Sequence, residues 1–580
     1  MGPRSRQSEY GTSSIVSTIE FHRPRRPNPD TVQYLCSLPI DVKIAREELE
    51  QLKQQHKGEH DTADLEDNES QMLSASLNAV EEIQVELASL AGDERCSQQI
   101  ERLATIACDK SLGNSYISAR RLLHGLSGYY LHLSCHRYGS HVAQTILVLC
   151  AAPHFLQYEQ KQSQEDMHDK QEDLLEGIPS IHTLILGAAN ELLPQTRLLA
   201  THVCGSHALR ALICSLVGVS VVNSPTTDSA LSQLRTKKKK KKKPSTSSDN
   251  LGGRVENIKV SPMPGFVISE ELSNRLKTLI ESLLGCEMDR SSVGDDESIR
   301  LLCHPSSGPT MSLLVQGMAA VENCNSSLLK DGIEAPTDIK SSVTQTRRGI
   351  VAPEARFAPD SKADLFVRCI LHCADPKKCS DIIYGLSGET YGSRFLETVL
   401  CTAHDELYHN FLEGGAFIGP ESSLKDYALH DVSNFVVQTV LRTARTREQV
   451  DEILKALLPL VLDGSLIQPN RRGVLWRLVE MSANWRIGQE SLLKAIPKGF
   501  ESSKLLETPC SMKECIVPLL TLQAPQGEGL RLQMDVNGAR VLFNLLRFVP
   551  RLCKDVLDGI IDLHSDLLVA VAKDGLGSCW

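Results

Sequence analysis

From about residue 100 onward, apolar residues return every three or four positions and are broken by brief polar turns. SARRLLHGLSGYYLHLSCHRYGSHVAQTILVLC and ANELLPQTRLLATHVCGSHALRALICSLVG are examples. That spacing places the apolar residues on one face of a helix. Short amphipathic helices in close succession predict an all-α chain whose helices bury their stripes against one another. Upstream, VKIAREELEQLKQQ and QMLSASLNAVEEIQVELASLAG carry the same period within acidic surroundings.

A short phrase recurs on this background: a small or polar anchor, a flat side chain next to it, and a polar residue four positions after the anchor. Clear copies are Ser140/His141/Gln144, Ser393/Arg394/Glu397 and Asn434/Phe435/Gln438, and Ser206/His207/Arg210 is an irregular one. Weaker ones sit at Gly308/Ser312, Gly473/Arg477 and Ala539/Phe543, with Arg540 beside the last anchor, and another opens at Ser578. On a helix, positions i and i+4 share a face with i+1 at its edge, a layout suited to the edge and flat face of one nucleobase. Anchors 41 residues apart (393 to 434) and 39 apart (434 to 473, 539 to 578) predict a solenoid of helical repeats near 40 residues long. Taken alone, each phrase is better read as core packing or as a helix N-cap at its Gly-Ser step, and only the five phrases sharing anchor, partner and period reverse that preference.

The phrases CHRYGSHVAQTIL, THVCGSHALRALI, ETYGSRFLETVL, HDVSNFVVQTVL and MDVNGARVLFNLL resemble the RNA-facing helices of pumilio (PUF) repeats. HPSSGPTMSLLV and NRRGVLWRLV resemble weakened copies. With the lysine-rich insertion after the second unit, the arrangement resembles the nucleolar members of that superfamily more than its compact translational regulators. The resemblance implies a right-handed, curved or U-shaped α-solenoid of three-helix repeats that binds precursor ribosomal RNA and supports or times maturation of the small-subunit 18S rRNA. It implies a nuclear, nucleolar location, no enzymatic activity, no cofactor, and a monomer working beside pre-ribosomal particle proteins. It also implies roles for the phrases. Asn434 and Gln438 resemble a uracil reader with Phe435 stacking, Ser393 and Glu397 a guanine reader with Arg394 stacking, and Ser140 and Gln144 an adenine reader with His141 stacking. Ser206, His207 and Arg210 place a cation where an amide or carboxylate is expected, and Arg540 suits stacking or a phosphate.

The segments follow from composition. Residues 1–40 read as a disordered basic tail and 41–100 as an acidic segment with amphipathic helices. Residues 101–218 carry N-terminal repeats, 219–264 a disordered insertion, 265–325 degenerate repeats, 326–361 a linker, and 362–580 the C-terminal repeats with the last incomplete. The insertion holds Lys237, Lys238, Lys239, Lys240, Lys241, Lys242 and Lys243, a run that repels itself and suits nuclear localisation or phosphate contact. The formal net charge is −10. Fifteen acidic and five basic residues fall within 41–100, so the remainder is neutral overall and affinity resting chiefly on phosphate neutralisation is not expected.

The 18 cysteines lie mostly in apolar helical runs, which suits reduced thiols. Cys369, His372, Cys373 and Cys379 lack paired metal-ligand spacing, and no metal site is expected. No apolar stretch reaches membrane-spanning length, and MGPRSRQSEY does not lead into a signal-peptide core. Scattered residues such as His124, His202 and His430 read as packed or surface histidines, without a nucleophile and base in sequence register. Two other functions compete with the one implied: a HEAT- or armadillo-type scaffold for protein partners, and a nuclear PUF-like protein binding RNA without sequence preference.

Overall fold

The computed structural model describes residues 23–38, 40, 71–109, 112, 114–165, 175, 177–221, 260–263, 266–330, 356–413, 416–418, 423–503, 511–521, 534–563 and 569. Lys237–Lys243, the acidic centre around Asp61–Glu69 and the phrase at Ser578 lie outside them.

Among these residues the regular structure is α-helix, short 3₁₀ turns, and one two-stranded antiparallel ladder, Val219–Val221 against Val260–Pro262. The chain is all-α. The ladder joins the two ends of the segment read as an insertion, so valines that carry no helical period pair as strands.

Eight helices, labelled α1 to α8, carry the recurring geometry among the described residues. They are α1 (Glu94–Ala107), α2 (Gly139–Cys150), α3 (Gly205–Val217), α4 (Ser307–Lys330), α5 (Thr390–Thr402), α6 (Asn434–Thr443), α7 (Arg472–Trp485) and α8 (Val536–Leu545). Seven start at the phrases. The other, α1, spans residue 100, where the acidic segment was expected to give way to repeats. Two further helices precede most of them, such as Lys362–Ile370 and Pro376–Gly388 before α5, and Asp405–Glu413 and Leu424–Leu429 before α6.

The chain forms two compact units. One comprises residues 1–195 and 202–215, the other 196–201 and 216–580. In the first, α1 lies against α2 over a core that includes Leu103, Leu122, Leu123, Leu133 and Ile146, all fully buried. In the second, α4 to α8 pack each against the next. Phe366 and Phe395 meet edge to face there, with ring centroids 6.4 Å apart.

Helix α5 illustrates the pattern. Phe395, Leu396, Val399 and Leu400 are buried, while Arg394 and Glu397 are half-buried on another edge. Each buried side chain of this size contributes about 1.5–3 kcal/mol. Gly392 and Gly139 let the start of a helix pass close to the preceding one. A Cβ at Gly392 would lie 2.7 Å from the Leu386 carbonyl oxygen, and one at Gly139 would lie 2.8 Å from Leu133 Cδ2.

The histidine and cysteine cluster diverges. Cys369 Sγ donates to the Asp289 carbonyl (3.1 Å), and His372 Nε2 lies 2.9 Å from the Gly294 carbonyl. Cys373 and Cys379 face each other at 3.8 Å between sulfurs.

Candidate nucleic-acid interface

Six of the eight helices are set up by a residue four positions before the anchor, while α5 and α7 start without a side-chain cap. His136 Nδ1 accepts from the backbone N–H groups of Tyr138 and Gly139 (3.4 and 3.2 Å), and His202 Nδ1 from Cys204 and Gly205 (3.1 and 3.0 Å). His430 Nδ1 does the same for Val432 and Ser433 (both 3.2 Å), and His304 Nδ1 accepts from Ser306 (3.2 Å). Carboxylates take this place at α1, where Asp93 accepts from Arg95 and Cys96, and at α8, where Asp535 accepts from Asn537 and Gly538. These acceptors satisfy amides that a helix start leaves unpaired. Of the histidines read from sequence as packed or surface residues, His202 and His430 are therefore capping groups, whereas His124 lies in the last turn of its helix with Nδ1 3.3 Å from Gln84 Nε2. The Gly-Ser steps are not the caps: Ser140 and Ser206 lie inside the first turn.

The serine anchors share one geometry. Ser140, Ser206 and Ser393 donate to the carbonyl three residues back, at Arg137 (3.5 Å), Val203 (3.5 Å) and Thr390 (3.2 Å). All three are buried. The asparagine anchor differs. Asn434 donates through Nδ2 to the carbonyls of His430 and Asp431 (2.9 and 2.8 Å) and accepts from Gln438 Nε2 at 3.0 Å. Anchor and reader are thus coupled before any ligand arrives, with Gln438 half-buried at the surface edge.

Phe435 stands out from α6 with 44 % of its surface exposed, in the position expected of a stacking platform. Arg394 lies half-buried with its guanidinium carbon 5.5 Å from the Tyr391 ring centre. Arg540 is exposed and lies 4.8 Å from the Trp476 ring, which Arg477 approaches at 3.8 Å. Arg477 itself is held by Glu480 at 2.6 Å.

In α2, His141 is half-buried, whereas Gln144 is fully buried and neither atom of its amide makes a hydrogen bond among the described residues. An unsatisfied buried amide costs about 1–3 kcal/mol, and a partner offering both a donor and an acceptor would offset that. In α3 the phrase turns inward. His207 is 9 % and Arg210 1 % exposed, and Arg210 Nη2 donates to His207 Nδ1 at 2.8 Å. Burial lowers the Arg210 guanidinium to about 10. Ser206, His207 and Arg210 are thus packed among helices rather than presented.

The structure adds a set that the sequence reading passed over. In α1, Ser97 is buried and donates to the Glu94 carbonyl at 3.2 Å, Gln98 is exposed, and Glu101 is half-buried. Anchor, edge residue and reader fall as they do in α5. Asp93, four residues before Ser97, and the 43-residue interval to Ser140 were legible signals. They were obscured because Cys96 stands where most other phrases have Gly or Ser, and because the surrounding acidity dominated that stretch.

With this geometry in hand, comparison with known proteins is direct. The NOP9-like PUF repeat domain matches residues 86–579. Nucleolar protein 9 of Zygosaccharomyces rouxii is 27 % identical over 423 residues, covering 72 % of this chain and 54 % of that protein. Nucleolar protein 9 of Phaeosphaeria nodorum is 21 % identical over 496 residues, covering 84 % and 58 %. The chain spans about half the length of the curated relatives it matches. The solved structure of APUM23-GGAAUUGACGG shares the fold, with a TM-score of 0.58 at 17 % identity over 95 % of this chain and 82 % of that one. A repeated cap, anchor and reader on successive packed helices, matched by this domain along most of the sequence, place the chain in the NOP9-like PUF repeat family.

Proposed function

We propose that the chain is an RNA-binding ribosome-biogenesis factor that acts in the nucleolus on precursor rRNA of the small subunit and supports or times 18S maturation. The observation that carries this reading is the coupled set on α6, where Phe435 is exposed beside the Asn434–Gln438 pair: a flat platform next to a ready donor and acceptor. The unsatisfied Gln144 amide supports it, as do the Nucleolar protein 9 relatives and the APUM23 structures, whose names include oligonucleotides such as GGAAUUGACGG. In this reading His141, Arg394, Glu397, Phe435, Gln438 and Arg540 contact RNA, the buried Ser140, Ser393 and Asn434 support them from behind, and Gln144, buried with an unsatisfied amide, reaches a base when the side chains over it move aside. Ser206, His207 and Arg210 brace α3, and Lys237–Lys243 serve nuclear targeting or phosphate contact. The chemistry is binding and positioning, with no cofactor.

The test is affinity of the purified chain for small-subunit precursor rRNA fragments against scrambled RNA, across salt, beside a variant with Ser140, Gln144, Glu397, Asn434 and Gln438 all changed to Ala. Preference for the precursor that the variant loses supports the reading. Equal, weak binding by both proteins overturns it in favour of a protein-binding scaffold.

A further inference from the structure

Cys373 lies in the turn after Lys362–Ile370, and Cys379 is the fourth residue of Pro376–Gly388. Their sulfurs are 3.8 Å apart. The turn between them is pinned. His372 takes a positive φ of 54°, and its Nε2 lies 2.9 Å from the Gly294 carbonyl. The backbone N–H of Cys373 donates to the Arg368 carbonyl and that of Cys379 to the Asp375 carbonyl, each at 2.9 Å. Asp375 also caps the second helix, accepting from the N–H groups of Lys377 and Lys378. Backbone geometry therefore holds the two sulfurs together.

The pair lines a cavity of about 390 Å³ together with Arg368, Ser380, His409 and Asn410. His409 and Asn410 are exposed, which sets the mouth of the cavity at the surface. One water needs roughly 10–15 Å³ of such space, so a molecule of two oxygens enters with room to turn. A second pair supplies the contrast. Cys108 and Cys150 are nearer, at 3.4 Å, but both are buried, and burial pushes the Cys150 thiol up.

The surroundings also separate the roles of Cys373 and Cys379. Hydrogen bonding from Cys373 holds the Cys379 thiol below its ordinary value, against burial and the Asp375 carboxylate. Cys379 sits in the first turn of its helix, where partial positive charge on the backbone favours a thiolate. The same hydrogen bond, followed by burial, pushes Cys373 up and keeps it protonated.

We infer that Cys373 and Cys379 form an oxidation site for hydrogen peroxide, with Cys379 as the attacking sulfur and Cys373 as the resolving one. In the first step the Cys379 thiolate attacks one peroxide oxygen. An S–O bond forms, the O–O bond breaks, and the departing hydroxide takes a solvent proton to become water. Sulfur gives up two electrons and becomes a sulfenic acid. In the second step the Cys373 sulfur attacks that of Cys379. The S–S bond forms, the S–O bond breaks, and the hydroxyl leaves with the Cys373 proton as a second water. Closing to the roughly 2.05 Å of a disulfide moves each sulfur by about 0.9 Å, a small rotation about χ1. The site stands independently of RNA binding.

The experiment treats the full chain with hydrogen peroxide at neutral pH, blocks the remaining thiols, digests with trypsin and finds disulfide-linked peptides by mass. Lys377 and Lys378 lie between the two cysteines, so cleavage parts them unless a disulfide joins them. The link is expected to form about tenfold faster than one between Cys108 and Cys150, and dithiothreitol should reverse it. Cys369 shares a tryptic peptide with Cys373, and Cys369→Ser should retain the link. Cys373→Ser should leave Cys379 as a sulfenic acid that dimedone traps, whereas Cys379→Ser should leave Cys373 untrapped. No linked peptides from the unaltered chain overturn the site. A link formed no faster than that of Cys108 and Cys150 overturns selection by the cavity, and dimedone on Cys373 in place of Cys379 overturns the assigned roles.

Discussion

Helices α3 and α6 carry the same phrase and use it in opposite ways. Both are capped by a histidine four residues ahead of the anchor, and both bury that anchor. On α6 the edge residue Phe435 is 44 % exposed, and the reader Gln438 is coupled to Asn434. On α3 the edge residue His207 and the reader Arg210 are buried against each other. The lesson is that the phrase specifies how a helix starts and where its side chains point along it. Whether that face is presented depends on what packs over it.

The difference can be broken from the α3 side with the largest effect. Arg210→Ala removes a long buried side chain and should destabilise the fold by about 2–4 kcal/mol, read by chemical denaturation. RNA affinity of the molecules that remain folded should stay within about twofold. A large affinity loss with unchanged stability would make α3 a reading helix after all. From the α6 side the expectation reverses. Phe435→Ala should weaken RNA binding by about 1–3 kcal/mol, the contribution of one stacked base, while leaving the melting temperature close to that of the unaltered chain.

The histidine cap of α3 adds a pH dependence to that helix. Burial holds the His202 ring below its ordinary value, so folding favours the neutral ring. Its contribution is therefore present above the unfolded value of about 6.5 and is lost as the pH falls through the folded one. Thermal melting should show a loss of stability between neutral pH and about pH 5. His202→Asn, which keeps an acceptor that does not titrate, should reduce that loss by about 1 kcal/mol or less.

The smallest change concerns the edge of α6. A Cβ at Gly473 of α7 would press into the Gln438 amide, the far end of a flexible side chain. Gly473→Ala should therefore alter RNA affinity a few-fold through Gln438 and shift stability by less than about 1 kcal/mol, because the displaced group can move. Isothermal binding and denaturation measured on the same preparation separate the two effects.

Much of the array was readable from spacing. Ser140, Ser206, Gly308, Ser393, Asn434, Gly473 and Ala539 each fall on a helix with an apolar stripe, because a stripe that must be buried repeats with the helix period. The α1 unit was missed because Ser97 and Glu101 lie in a stretch whose charge suggested solvent, and charge density says nothing about a single buried edge. The role of His136, His202, His304 and His430 was missed for another reason. A histidine becomes a cap only when the backbone turns beneath its ring, and that turn is a property of the folded chain.

By itself, then, the sequence determined that this is an all-α repeat chain and where most phrase-bearing helices begin, since both follow from local periodicity along one strand of chain. Tertiary structure decided which phrases are offered and which are consumed: Phe435 stands clear while His207 and Arg210 are enclosed. It also decided the partners of the carboxylates, because Thr145 and Thr439 reach Glu101 and Glu397 only once helices more than forty residues apart in sequence lie side by side. Contacts between successive repeats depend on the stacking of whole units, and no local pattern encodes that geometry.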